Sequence, residues 1–162
     1  MKYYFTSDLH LNHKRVIEFG YRPFKNLKHM TDEIIKRWNA RVTPDDTVFI
    51  LGDFNFKGVS SNHRILKKLN GNKILIHGNH DRQEFLLGCY IRMLGKEREV
   101  VHNPDDSVHT QVIHGHVHLP HAERIHRQKN GRLFINVNCE LWNYEPVSVK
   151  QINKEIQKVN SK

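Results

Sequence analysis

Five stretches of this 162-residue chain end a β-type apolar run at a carboxylate or an imidazole. Asp8-Leu9-His10 follows residues 2–7, Gly52-Asp53 follows 47–51, and Gly78-Asn79-His80-Asp81 follows Ile74-Leu75-Ile76. His102 follows Glu99-Val100-Val101, and Gly115-His116-Val117-His118 follows Val112-Ile113-His114. Open α/β sheets bind ligands beyond the carboxyl ends of their strands, so endings of this kind predict strand ends that converge on one site. With His80 set aside, Asp8, Asp53, Asn79, His10, His102, His116 and His118 supply carboxylate, amide and imidazole donors. That set can hold two metal ions, with one carboxylate shared and water in the open positions. Oxygen and nitrogen donors without thiolate suit Mn, Fe, Zn, Co or Ni and exclude a structural cysteine site.

The order D-x-H, G-D, G-N-H-D, H, G-H-x-H resembles that of the calcineurin-like metallophosphoesterase superfamily. Phe5-Thr6-Ser7-Asp8-Leu9-His10, Gly78-Asn79-His80-Asp81-Arg82, His114-Gly115-His116-Val117-His118 and the tail Leu141-Trp142-Asn143-Tyr144-Glu145-Pro146-Val147-Ser148 are similar to its short, single-domain, phage-type and bacterial phosphoesterases. The resemblance implies an α/β fold, a four-layer α-β-β-α sandwich. It implies two divalent ions, manganese first, with Fe, Zn, Ni or Co as alternatives. One ion would be held by Asp8, His10 and His118, the other by Asn79, His102 and His116, with Asp53 bridging. Hydroxide held between the ions would attack phosphorus, and His80 would protonate the leaving oxygen as general acid. Asp81 would hold the other ring nitrogen of His80 and so fix its tautomer. Substrate contacts fall to Lys57, Asn79, His80 and Arg82. Lys57 stands where phosphatases of the superfamily carry a phosphate-binding Arg, and offers a point charge without bidentate geometry. Because the link from His102 to His114 is short, His109 competes with His102 for the fourth block.

The activity so implied is hydrolysis of phosphoesters, diesters preferred because the site looks open and lacks that Arg. A phosphomonoesterase or a nuclease of the same fold is the alternative, and a non-catalytic metal-binding scaffold a further one. The substrate would be a phosphoester, including a nucleotide or nucleic acid. A formal net charge of +9 attracts anions and agrees with that class.

Composition bounds the elements that must position these residues. The length predicts one domain, 1–162, large enough to bury roughly two-thirds of its unfolded surface. No apolar run approaches about 18 residues, so no membrane span is expected. The N-terminus turns polar too soon for a signal peptide, and Cys89 and Cys139 read as free thiols of a reducing cytoplasm. A monomer or a dimer is compatible with the chain. Strands are expected at 2–7, 47–51, 73–76, 98–101, 111–114 and 132–137, the last returning from a hairpin turn at Asn130-Gly131. Helices are expected over 12–19, stopped by Gly20; from an N-cap at Thr31; from a cap at Ser60 or Ser61 through Leu69; around 83–87; and from a Ser148-x-x-Gln151 capping box. Ile34, Trp38, Trp142 and Tyr144 are read as core.

Overall fold

The computed structural model of the chain describes residues 1–19, 22–82, 85–93 and 95–161. The first sheet forms from β1 (Tyr3–Thr6), β2 (Thr47–Leu51), β3 (Asn72–Ile76) and a short β9 (Val147–Ser148), in the order β3-β2-β1-β9. β1, β2 and β3 run parallel and β9 antiparallel. The second sheet comprises β4 (Gly88–Met93), β5 (Lys96–Val101), β6 (Gln111–His114), β7 (Ile125–Arg127) and β8 (Leu133–Asn136), in the order β4-β5-β6-β8-β7. Here β5, β6 and β8 are parallel, and β4 and β7 are antiparallel edges.

Alternation of side chains along each strand decides what each face packs against. Tyr4, Val48 and Ile50 point to one side of the first sheet, where Met30, Ile34 and Trp38 of α2 (Leu27–Arg41) and Ile65 of α3 (Val59–Leu66) complete a core. Phe5, Phe49, Leu51 and Ile76 point to the other side and meet Val100, Ile113, Leu133 and Ile135 of the second sheet. Ile152 and Ile156 of α4 (Val149–Asn160) join that inter-sheet core. A strand apolar on both faces reads as a continuous run, as Thr47-Val48-Phe49-Ile50-Leu51 does. The α/β class and the paired sheets agree with expectation. On the outer side of the second sheet, Val101, Val112 and Phe134 form a small separate cluster with no helical residue in it.

Several boundaries differ from the sequence reading. α2 begins at Leu27, and its cap is Asn26, whose side chain accepts from the His29 N–H at 2.9 Å. Thr31 lies inside the helix and donates back to the Leu27 carbonyl, the bond a hydroxyl makes when a helix continues past it. Gly58 rather than Ser60 or Ser61 caps α3, which stops at Leu66, although Leu69 is still buried. α1 is reduced to Arg15–Phe19, and Gly20 lies outside the described residues. Of the helix expected near 83–87, Gln83 and Glu84 also lie outside them, and 85–87 are not helical: Leu86 makes a parallel bridge to Ile76. β4, an edge strand, was not expected at all. The capping box of α4 and the hairpin joining β7 to β8 form as the sequence predicts. Among the described residues no helix is long and apolar enough to cross a membrane.

Candidate metal centre

Parallel registry brings the strand ends level. Tyr3 pairs with Thr47 and Thr47 with Asn72, so Asp8, Asp53 and Asn79 leave the first sheet at one edge. β5 and β6 deliver His102, His116 and His118 from the second sheet. The sheets are stitched there: the Ser7 N–H donates to the Val137 carbonyl and the Cys139 N–H donates to the Ser7 carbonyl, both at 3.1 Å.

All seven expected donor residues meet at this edge. His10 Nε2 lies 3.4 Å from Asp53 Oδ2 and 3.4 Å from His118 Nε2, and His118 Nε2 lies 3.5 Å from Asp8 Oδ1. On the other side His102 Nε2 lies 3.6 Å from the same Asp53 Oδ2 and 2.9 Å from Asn79 Oδ1. His116 Nδ1 closes on Asn79 Oδ1 at 3.1 Å and on His102 Nε2 at 3.3 Å. Asp8, His10 and His118 form one compact group, and Asp8, Asp53 and His102 another. His109 is elsewhere, its Nδ1 on the backbone of Gln111 and its ring against Tyr90.

The backbone reaches this arrangement at a cost. Asp8, His10, Asp53 and His116 have φ of 56°, 48°, 51° and 66°, the left-handed region that non-glycine residues rarely enter, and such residues cluster at functional sites. Two glycines make room. A Cβ on Gly115 would lie 2.4 Å from Ser7 Oγ and 2.5 Å from Asp8 Oδ2, and one on Gly78 would lie 2.3 Å from both the amide N and Oδ1 of Asp53.

Ring protons are committed outward. His102 Nδ1–H donates to the Leu51 carbonyl at 2.8 Å and His118 Nδ1–H to Glu140 Oε1 at 3.0 Å. Each therefore turns Nε2 inward, the nitrogen that binds a metal once it carries no proton. Inward ring nitrogens, an amide oxygen and two buried carboxylates crowded at 3–4 Å repel one another unless positive charge lies among them, so the donor set fits divalent cations. Titration marks the same demand for positive charge. Burial opposes charge on His118, yet hydrogen bonds to Asp8 and Glu140 raise its pKa to about 10, so a proton on its Nε2 and a cation compete for one position. Burial lowers His10 to about 3 and keeps it neutral. Asp8 is held at about 2: burial works against its charge, and the hydrogen bond from His118 and the surrounding histidines outweigh it.

His80 sits at the rim, exposed. Its backbone N–H donates to Asp53 Oδ1 at 2.9 Å, and its ring is 5.5 Å from that of His10. The expected Asp81–His80 pairing is corrected. Asp81 accepts instead from the backbone N–H groups of Asp53, Phe54 and Gly78 at 2.9–3.0 Å. Its short side chain is spent on tying the Gly78 loop to the Asp53 loop. Lys57 is exposed, and among the described residues its hydrogen bonds run through its backbone, to the Asn55 side chain. Arg82, also exposed, lies over the Phe56 ring at 5.4 Å.

Two residues escaped the sequence reading. Glu140, in the turn after β8, receives His118 on one oxygen and on the same oxygen the Arg22 Nε–H at 3.0 Å. Arg22 is buried and also donates to the carbonyls of Leu9 at 2.8 Å and Asp8 at 2.7 Å. It thereby pins the first donor loop from behind. Neither residue lies in a motif, and a loop arginine ordinarily stays solvated, so no sequence signal marked them.

No family model matches the chain. It is 36% identical to the uncharacterized protein MJ1445 of Methanocaldococcus jannaschii, over 97% of this chain and 92% of that one. It is 30% identical to the gene 66 protein of Mycobacterium phage L5, over 86% of each. Among solved structures, AQ665 of Aquifex aeolicus, described as a protein of unknown function, superposes with a TM-score of 0.73 at 26% identity, over 94% of this chain and 98% of that one. Vps29 of Chaetomium thermophilum superposes with a TM-score of 0.51 at 9% identity, over 83% and 69%. The fold is that of the calcineurin-like phosphoesterases.

Proposed function

We propose, from the premise that this chain belongs to the family of MJ1445 and the phage L5 gene 66 protein, that it is a metal-dependent phosphoesterase, acting on diesters in preference to monoesters. The observation that carries this reading is one oxygen, Asp53 Oδ2, facing His10 Nε2 at 3.4 Å and His102 Nε2 at 3.6 Å, as a carboxylate shared by two cations would. Asp8, His10 and His118 would hold one ion and Asn79, His102 and His116 the other. Two divalent ions there would supply Lewis-acid charge for the phosphoryl oxygens and for the activation of water.

The protein's own groups do the rest. Asp53 fixes the loop of His80 through its N–H, so that the imidazole stands at the rim beside the phosphoryl position. From there its ring nitrogen delivers a proton to the leaving oxygen. Asp81 locks the Gly78 and Asp53 loops together, which keeps His80 at its distance from the ions. Arg82, exposed beside the Phe56 ring, and Lys57, exposed after the Asp53 loop, are the cations that would meet an anionic substrate.

The test is hydrolysis of p-nitrophenyl phosphate and bis-p-nitrophenyl phosphate by protein stripped with a chelator and reloaded with Mn, Zn, Fe, Co or Ni. Activity should vanish on stripping and return on loading, with the diester turned over faster. Inactivity under every metal, with the ions nevertheless bound, would refute the enzyme and leave a scaffold.

A further inference from the structure

Beside the donor cluster lies a hollow of about 690 Å³, within the range of small-molecule sites, roughly 300–1,000 Å³. Its lining includes Asn79, His102 and His116 from the donor cluster, Leu87 just before edge strand β4, and Tyr90 within that strand. His10, His80 and His118 do not line it. His80 lies on the far side of the cluster, in a group with His10, His13 and Phe56. A phosphoryl group above Asp53 with one ester arm toward His80 therefore has its other arm directed at the hollow.

We propose that this hollow receives the retained, non-leaving substituent of a phosphodiester, and that this substituent is a neutral aromatic group of the nucleobase type. The inference rests on the hydrolase reading above. In the reaction the P–O bond toward His80 breaks and a water oxygen replaces it. The proton of His80 goes to the leaving oxygen, and the P–O bond to the retained arm survives.

The lining dictates the chemistry. Tyr90 is 59% exposed and Leu87 82% exposed, large apolar side chains of the lining turned to solvent. The Tyr90 ring is held in place, its hydroxyl donating to Glu99 Oε1 at 3.2 Å and its ring in a T-shaped contact with His109 at 5.7 Å. A planar ring stacks on such a surface. Glu99 and Asp106 also line the hollow, and no Lys or Arg is among its described lining residues. On a chain of net charge +9 this is an acidic corner. It accepts hydrogen bonds from amino and imino groups and repels a second phosphate, so an extended nucleic-acid strand is disfavoured as the retained arm.

The experiment keeps the leaving group constant. Hydrolysis of the p-nitrophenyl ester of thymidine monophosphate is compared with that of ethyl p-nitrophenyl phosphate, in the wild type and in the double variant Leu87→Ala, Tyr90→Ala. The wild type should favour the thymidine ester in kcat/KM by about tenfold, the scale of one aromatic stacking contact. The variant should lose that preference and keep its rate on the ethyl ester. A second phosphate on the sugar should lower kcat/KM, and Glu99→Gln with Asp106→Asn should restore it. Thymidine binding to metal-free protein, followed by NMR, provides a readout independent of turnover and should disappear in the double variant. Equal rates on both esters in the wild type, or an equal fall of both in the variant, would overturn the subsite. So would a change in sedimentation with the ester ratio intact, which would make Leu87 and Tyr90 an interface between copies. If no ester is cleaved under any metal, the hydrolase reading fails and the proposal falls with it; cleavage without thymidine binding refutes the hollow alone.

Discussion

At the scale of single residues, the site divides into groups that hold charge and groups that aim them. His80→Ala should leave the metal content intact and lower turnover by around 10²–10⁴-fold, the worth of general-acid catalysis. Asp53→Asn should weaken retention of both ions, because its Oδ2 faces both histidine sets. Metal analysis beside kinetics separates the two, and equal metal loss in both variants would defeat the assigned roles. Glu140→Gln tests the aiming. Its carboxylate is almost wholly buried between Arg22 and His118, so the amide would leave a buried guanidinium without its counter-charge. Metal affinity should drop about 10–100-fold, and stability by about 1–3 kcal/mol, read by metal titration and by denaturant melts. The donors were legible in the sequence because each is a strand-end Asp, Asn or His in a recognisable order. Glu140 and Arg22 were not, because they reach the site through a fold that places residues 118 apart in contact. Asp81 was misassigned for a related reason. Its neighbour in sequence is His80, but its nearest donors in space are three backbone amides.

Elements set how closely those residues can approach. Strands β1, β2, β3, β6 and β8 were readable from their apolar runs, and β5 from its apolar end Val100-Val101, while its polar start at Lys96 and Glu97 was not. β4 was not, because an edge strand with half-exposed positions lacks that pattern, and α2 began earlier than Thr31 because Asn26 caps just as well. The loops between strand end and ligand are the least forgiving parts. Gly115→Ala should disrupt the site without unfolding the sheets, since the new methyl would press on Ser7 Oγ and Asp8 Oδ2. The expected signature is a loss of bound metal with unchanged far-UV circular dichroism. Retention of full metal occupancy would mean that the first donor loop can yield after all.

For the whole molecule, each proposed ion would draw ligands from both sheets: Asp8 and His10 with His118, and Asn79 with His102 and His116. Binding to the folded state alone stabilises it by roughly 2.7 kcal/mol at a free concentration one hundred times Kd. Chelation should therefore lower the melting temperature by several degrees, and reloading should restore it, as followed by calorimetry. A melting temperature indifferent to metal would argue that the sheets are held together by the inter-sheet core and the Ser7 stitch alone.

Four of the donors wind their backbone against the hand that amino acids of their kind prefer. That winding costs about 1–2 kcal/mol for each, a tension borne by the sheets and by Arg22 behind the first loop. That tension is braced from two sides, by the sheets and by Arg22 at the carbonyls of Leu9 and Asp8, so losing the Arg22 guanidinium would slacken the first donor loop before it disturbed the strands.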